Sequence, residues 1–166
     1  MRATKPEYNS RFLFSFARQS CMREVALAMI RHKTSFLMHL RDFKPWIVNP
    51  GEWGFFAGGL SQGETPSTAM VRELWEELEF VPRLLTPFNT FQFTSESLRV
   101  HVYHCSLHVP VEQLNLHEGQ ELGIFEAESI LTGKLVSQKW QRMFPITLVS
   151  MKIFSEFYHH KSVYEK

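Results

Sequence analysis

Cysteine is scarce in this chain: only Cys21 and Cys105 occur among 166 residues. Two cysteines cannot build the disulfide framework of a small secreted domain, so we expect a reducing compartment, the cytoplasm. Long apolar runs are also missing, since none approaches the roughly 18 residues that span a membrane. The net charge is only +1, which gives no general attraction to nucleic acid polymers or anionic membranes. Any recognition of phosphate groups would therefore have to come from a local site.

Residues 1–21 lack the features of an efficient secretion signal. Four basic residues surround the short apolar stretch Phe12–Ala17, which Ser15 interrupts. No small-x-small cleavage pattern follows this stretch. A signal peptide or an organelle transit peptide stays open as an alternative, but we expect an N-terminal extension before a single domain at residues 22–166. That length is sufficient for one domain with a substantial core.

The rest of the chain contains alternating strand and helix patterns. Val25–Ile30 is an apolar run typical of a strand covered on both faces, and Phe36–Leu40 is predicted to be the returning strand. A longer strand pattern at Leu98–Val109 shifts phase near Tyr103, which predicts a bulge or a strand covered on both faces. Shorter elements are predicted at Phe88–Thr94 and Glu121–Phe125 (strands), at Glu126–Leu131 (a helix) and from Pro145 onward (a C-terminal helix), while residues 132–143 give no clear pattern.

The clearest chemical pattern is a helix that follows a glycine-rich loop. Thr65 suits the N-cap and Pro66 the first helical position. Glu73, Glu76 and Glu77 then share one helix face, where like charges destabilise the helix by a few tenths, about 0.2–0.5 kcal/mol, per pair. A divalent cation would convert this repulsion into binding, although the helix alone is explained better by an exposed acidic face. The side expected to face the core carries Ala69, Met70, Leu74, Trp75 and Leu78.

The loop and the helix together match a fixed pattern. Gly58, Glu64, Arg72-Glu73-Leu74 and Glu76-Glu77 fall on the spacing G-x5-E-x7-R-E-U-x-E-E-x-G-U, where U is a bulky aliphatic residue. In this pattern the chain resembles the Nudix family. The order of the flanking strands and helices also resembles the Nudix fold. Glu79 departs from the pattern, because the family has glycine there. Phe80 places an aromatic residue at the last position, and Ala57 stands where many members have proline.

The resemblance implies an α/β fold of the Nudix type. This fold is an α/β/α sandwich, with a mixed β-sheet between the box helix and the C-terminal helix. It further implies a Mg²⁺-dependent hydrolase, with Mn²⁺ as a substitute, that cleaves the pyrophosphate bond of a nucleoside diphosphate linked to another moiety. Nucleoside triphosphates, ADP-ribose and nucleotide sugars are substrates of this type. Such a small molecule is the expected partner, without a nucleic acid polymer or a membrane, and the protein is expected to be a monomer or a homodimer.

Two other functions stay open for a chain of this family. The domain is alternatively a nucleotide-binding sensor or regulator with weak catalysis, although the complete set of box residues argues against a retired catalyst. Isomerase chemistry on a prenyl diphosphate is a third alternative, for which the sequence contains no additional motif.

The resemblance also assigns roles to individual residues. The metal is expected to bind the carboxylates of Glu73, Glu76 and Glu77 and the Gly58 carbonyl, with Arg72 and Glu64 orienting these ligands. His117-Glu118-Gly119-Gln120-Glu121 resembles the loop that supplies a general base in MutT-like members. Glu118 is therefore the first candidate for the base or an extra metal ligand, and Glu121 the second. An exposed acidic loop is the simpler explanation of the same residues.

Substrate contacts are expected from the region before the box. Arg41 and Lys44 are predicted to contact the distal phosphates or the leaving group, although two solvated loop charges explain them equally well. Gly59 allows close approach of the backbone to phosphate. Five aromatic residues are candidates for stacking on a nucleobase: Trp46, Trp53, Phe91, Phe93 and Tyr103. Core packing is the better explanation for each of them. Trp53 is retained as a predicted binding residue.

Two further observations limit this interpretation. His104 and His108 lie on one face of the predicted strand and His101 and Cys105 on the other, so no zinc site of usual spacing results. If the box helix ends in left-handed backbone at Glu79, a residue other than glycine costs about 1–2 kcal/mol there; otherwise the helix ends in another way.

Overall fold

The computed structural model describes residues 22–164. The predicted N-terminal extension, residues 1–21, lies outside the described residues. In the described part of the chain, strands alternate with three α-helices, and short 3₁₀ turns occur at Thr94–Glu96 and Val111–Gln113. The elements are β1 (Arg23–His32), β2 (Ser35–Leu40), β3 (Trp53–Gly54), β4 (Phe56–Gly59), α1 (Pro66–Leu78), β5 (Thr86–Phe93), β6 (Leu98–Ser106), β7 (Glu121–Glu126), α2 (Ala127–Leu131), β8 (Lys134–Ser137), β9 (Arg142–Pro145) and α3 (Leu148–Tyr164).

Strand β1 is the centre of a mixed sheet of seven strands. Along one edge, β1 pairs in parallel with β6, which pairs in turn with β5. Its other edge is divided: residues 30–32 pair with β2, and residues 25–28 pair with β4. Strand β2 continues the sheet to β3 and β7. The division of β1 brings the Gly58–Gly59 end of β4 into the sheet beside the first residues of β1.

The two faces of the sheet are covered by different helices. On one face, buried residues of α1 such as Met70 and Leu74 pack on Ala26 and Ala28 of β1. On the other face, α3 packs Phe154 and its neighbours against the alternate residues of β1 and β2. Both sets of side chains on β1 are therefore buried, as its continuous apolar sequence predicted. This arrangement confirms the predicted α/β/α sandwich. No helix in the part described is both long and apolar enough to cross a membrane.

The phase shift near Tyr103 reflects a strand covered on both faces, the second of the two predicted alternatives. Leu98, Val100 and Val102 pack in the core on the α3 side, whereas Cys105 packs on the α1 side, with Tyr103 against it. Strand β6 keeps unbroken register with β1 from Leu98 to Ser106. The irregularity lies in β5, where Pro87 pairs with Tyr103 and Asn89 pairs with Val102, so that Phe88 is the extra residue. A bulge in β6 itself is therefore not observed.

Two other predictions of local structure need correction. Residues 132–143, which had no clear pattern, contain β8 and the start of β9, and four-residue strands are too short to show a reliable alternation. The C-terminal helix begins at Leu148 rather than at Pro145, because Ile146 forms a bridge with Trp53. Thr147 then caps the helix, since its Oγ1 accepts a hydrogen bond from the Ser150 amide at 3.2 Å.

Candidate active site

The glycine loop and helix α1 meet at Gly58. The side chain of Thr65 accepts a hydrogen bond from the Thr68 amide at 3.2 Å, and Pro66 occupies the first turn, as predicted. A Cβ atom on Gly58 would overlap the carboxyl group of Glu73. Only glycine therefore allows the Glu73 carboxylate to lie directly against the backbone of β4. The structure thus brings two of the predicted metal ligands into contact.

Arg72 connects the loop with the helix through five hydrogen bonds. Its Nε and Nη2 atoms each donate to the Glu64 carboxylate at 2.9 Å, and Nη2 also donates to the Gly59 carbonyl at 3.0 Å. Nη1 donates to Glu73 at 2.7 Å and to Glu76 at 3.1 Å. The two hydrogen bonds from Arg72 to Glu64, with one from the Ser61 amide, lower the pKa of Glu64 to about 2. Arg72 thereby fixes the positions of three carboxylates on one side of the helix.

Glu77 has a very different environment from these paired carboxylates. It is 5% exposed and faces the sheet, and its Oε2 atom has no hydrogen-bond partner. Burial raises the pKa of Glu77 to about 8, and the negative charges of Glu118, Glu73 and Glu76 add to this rise, while Arg41 opposes it. A buried carboxylate surrounded by other carboxylates indicates that a cation is needed for it to ionise at neutral pH.

His39 lies beneath Glu77 and was missed in the sequence. Its Nδ1 atom is 3.9 Å from Glu77 Oε2 and donates a hydrogen bond to the Glu118 carbonyl at 3.3 Å. Burial lowers the pKa of His39 to about 4, so the imidazole is neutral at pH 7. Its Nε2 atom is buried without a hydrogen-bond partner. A histidine inside the apolar run of β2 was the available signal, because an imidazole is rarely placed there without a polar neighbour.

The donor chemistry of this region fits a hard divalent cation. Carboxylate and carbonyl oxygens are the ligands that Mg²⁺ and Mn²⁺ prefer. Nevertheless, within residues 22–164 no group of three His, Cys, Asp or Glu side chains is arranged to hold a metal ion. Two of the three carboxylates are already paired within the chain, because Arg72 forms salt bridges with Glu73 and Glu76. A cation that used all three carboxylates would have to replace Arg72 as the partner of Glu73 and Glu76.

The loop with Glu118 crosses the end of helix α1. The His117 amide donates to the Glu77 carbonyl at 2.9 Å, and the Gln120 amide donates to the Leu40 carbonyl at 2.7 Å. Gly119 has a φ of +107°, and a Cβ atom there would lie 2.8 Å from the Leu40 carbonyl oxygen. The backbone of this loop is therefore tied to both α1 and β2. Its position brings the charge of Glu118 close enough to raise the pKa of Glu77.

Glu121, the second candidate for the base, points elsewhere. Its carboxylate accepts hydrogen bonds from the Ser137 hydroxyl and from the Gln138 amide, the latter at 2.8 Å. These contacts commit Glu121 to the turn between β8 and β9. The structure therefore favours Glu118 over Glu121 as the candidate base, because the oxygens of Glu121 are bonded to this hairpin.

A cleft of about 250 Å³ opens beside Gly58 and Gly59 on the other face of the sheet. Its walls are mainly aliphatic, and Arg41 and Arg23 provide positive charge. Arg41 also donates from Nε to the Val48 carbonyl at 3.0 Å, which fixes the direction of its side chain. The cleft therefore combines an apolar surface with cations next to the glycine loop.

Two predicted binding residues are engaged elsewhere. Trp53 is completely buried and donates from its indole nitrogen to the Leu135 carbonyl at 3.2 Å, so it cannot stack on a nucleobase. Lys44 pairs with Asp42 at 2.6 Å, and this contact raises the pKa of Lys44. Among the other aromatic candidates, Phe91 is buried, whereas Trp46 is 79% exposed.

Comparisons with known proteins place this arrangement in a family. Residues 22–145 match the NUDIX domain model. Among solved structures, the E. coli ORF135 protein is 22% identical, with a TM-score of 0.64 over 86% of this chain and 92% of that one. The MutT protein of Methanosarcina mazei Go1 is 21% identical, with a TM-score of 0.64 over 84% of this chain and 94% of that one.

A curated relative matches a short segment more closely. The chain is 53% identical over 36 residues to an RNA pyrophosphohydrolase of Psychrobacter sp. (strain PRwf-1). That match covers 22% of this chain and 21% of the relative. The family match extends over more than half of the chain and agrees with both the fold and the box residues. The chain belongs to the NUDIX domain family.

Proposed function

We propose that the protein is a Mg²⁺-dependent hydrolase of the pyrophosphate bond in a nucleoside diphosphate linked to another moiety. The observation that carries the proposal is the buried Glu77 carboxylate. One of its oxygens lacks a partner, and three other carboxylates raise its pKa. A site with this excess of negative charge is suited to a cation and not to an anionic substrate alone. Bound Mg²⁺ neutralises phosphate charge and lowers the pKa of water.

The residues of the site would act in distinct ways. Glu73, Glu76, Glu77 and the Gly58 carbonyl would hold the cation, after Arg72 exchanges its contacts with two of these carboxylates. The Glu118 carboxylate would accept a proton from the attacking water. The water oxygen bonds to one phosphorus, and the bridging P–O bond breaks. Two phosphorylated products leave.

The cleft supports a substrate with one nucleoside. Its volume of about 250 Å³ suits a base and ribose, and aliphatic walls suit the faces of a base. Arg41 and the Gly59 backbone border the cleft on the side of the glycine loop, where they would contact phosphate groups. These features support nucleoside triphosphates, ADP-ribose and nucleotide sugars as a class. The name of the Psychrobacter relative, an RNA pyrophosphohydrolase, favours a pyrophosphate bond in an RNA as a second candidate substrate.

A panel of these substrates with Mg²⁺ or Mn²⁺ tests the proposal, with phosphate release after a coupling phosphatase as the readout. We expect Glu77→Gln to abolish turnover, because the amide cannot supply a negative ligand. Glu112→Gln is the matched control, since Glu112 is an exposed carboxylate in a 3₁₀ turn. Retained turnover in Glu77→Gln with unchanged circular dichroism would refute the metal-site assignment. Tight nucleotide binding without turnover under either metal would instead support the sensor.

Cytoplasmic location and a monomer or homodimer stay predictions.

A further inference from the structure

Glu79 is the position at which the chain departs from the Nudix pattern. It takes left-handed backbone, with a φ of +53° and a ψ of +33°. Its amide donates to the Trp75 carbonyl at 2.8 Å, and the Phe80 amide donates to the Leu74 carbonyl at 3.2 Å. This geometry at a helix end strongly favours glycine. The chain thus keeps the backbone conformation that suits the family's glycine but places a glutamate in it.

The side chain of Glu79 makes contacts that a glycine cannot make. Its Oε2 atom accepts a hydrogen bond from Asn115 Nδ2 at 2.7 Å, and its Oε1 atom accepts one from His117 Nε2 at 2.9 Å. Both partners belong to the segment immediately before Glu118. The Asn115 amide also donates to the Leu78 carbonyl at 3.3 Å. The Glu79 carboxylate therefore adds two side-chain bonds to the backbone bonds between α1 and this segment.

We infer that Glu79 is a positioning residue that fixes residues 115–118 on the end of α1, so that Glu118 faces the Glu77 carboxylate. The inference rests on the proposed function, in which Glu118 accepts the proton. Glu79 holds the segment from the exposed side, and His39 holds it from the buried side through the Glu118 carbonyl. The backbone strain at Glu79 supports this role, because a surface charge without specific contacts would not offset the strain of placing glutamate in a conformation that suits glycine.

Glu79→Gly tests the inference because it relieves strain and removes the side-chain contacts together. We expect a thermal midpoint equal to or above that of the parent, with kcat about 10-fold lower, the size of effect known for residues that orient a site from behind its ligands. KM and Mg²⁺ affinity should change less than kcat. Amide hydrogen exchange should become faster at residues 115–120 and stay unchanged in β1. If Glu79 had only a structural role, kcat would not fall in Glu79→Gly.

A matched control is Lys33→Gly, since Lys33 is exposed in the β1–β2 turn with a φ of +57°. This change also relieves left-handed backbone strain, but at a position far along the chain from residues 115–118. We therefore expect kcat to stay unchanged. The double variant Asn115→Ala/His117→Ala should lower kcat as Glu79→Gly does, without a further decrease when the three changes are combined.

Three outcomes would overturn the inference. One is parental kcat in Glu79→Gly, the second is additive effects in the triple variant, and the third is a loss of kcat that accompanies faster exchange throughout the sheet. If the parent protein hydrolyses no substrate, the proposed function fails, but exchange at residues 115–120 still decides whether Glu79 fixes the loop. Unchanged exchange there in Glu79→Gly would reject the positioning role independently of catalysis.

Discussion

The two sides of the carboxylate face on helix α1 differ in how their charges are paired. On the loop side, Arg72 bonds to Glu64, Glu73 and Glu76, all of which keep some contact with solvent. On the sheet side, Glu77 is buried beside a neutral imidazole and lacks a partner for one oxygen. On the paired side, the salt bridges of Arg72 fix the positions of the carboxylates. On the buried side, Glu77 needs a cation from outside the chain to ionise at neutral pH, and it is there that ligand binding should have its main effect.

Glu118→Gln is expected to have the largest effect on the buried side. Loss of a general base lowers rates by about 10²–10⁴-fold, so kcat should fall by about that factor while substrate binding persists. Steady-state kinetics with saturating Mg²⁺ measure the change. Glu121→Gln is the comparison, because that carboxylate is bonded to the β8–β9 turn. Equal losses in both variants would contradict the assignment of Glu118.

Gly58→Ala should have the next largest effect, through the paired side. The new methyl group would overlap the Glu73 carboxyl group, which is the movable end of a side chain. We therefore expect little loss of stability but a fall in kcat/KM and in Mg²⁺ affinity of about 10–100-fold, as for other disturbed metal sites. Gly59→Ala should be affected much less, since no atom lies within 4 Å of its added Cβ. Similar losses in the two variants would show that backbone freedom, and not the Glu73 contact, requires glycine.

The pH dependence of metal-free stability sharpens the comparison. The pKa of Glu77 is raised to about 8 in the folded protein, so the folded state binds more protons and stability falls as the pH rises toward 8. The pKa of His39 is lowered to about 4, which removes stability only when the pH falls below about 6.5. Between pH 6.5 and 8, only Glu77 of these two residues changes the free energy of unfolding.

We therefore expect the free energy of unfolding in EDTA to fall by about 1–2 kcal/mol across that window, by linkage. Urea denaturation at several pH values measures it. Glu77→Gln should remove the slope, because the amide does not titrate, and saturating Mg²⁺ should reduce it by stabilising the ionised form. A slope that persists in Glu77→Gln would assign the titration to another group.

The sequence predicted the paired side better than the buried side. Gly58, Glu64 and Arg72 fall on the fixed spacing that the chain shares with the Nudix family, and their contacts are local. The resemblance was therefore sufficient to bring them together. The environment of Glu77 depends on β2 and on the loop at residues 115–120, which lie far away along the chain. Neither His39 nor the bonds from Glu79 to this loop could be predicted, because they depend on how the sheet brings distant segments together. The mixed sheet and its two helix layers were predicted from the resemblance, whereas the β8–β9 hairpin was too short to be recognised.

Trp75 belongs to neither side and should give the smallest effect. It was expected on the core side of α1, but it is 54% exposed, while its neighbour Leu74 is completely buried. Exposed substitutions usually change stability by less than about 0.5 kcal/mol, so Trp75→Gln should leave the urea midpoint and kcat close to the parent values. Leu74→Ala, by contrast, should cost about 2–5 kcal/mol, as for a buried leucine. A loss of that size in Trp75→Gln would mean that this face of the helix is covered in solution, and the buried and exposed faces of α1 would have to be reassigned.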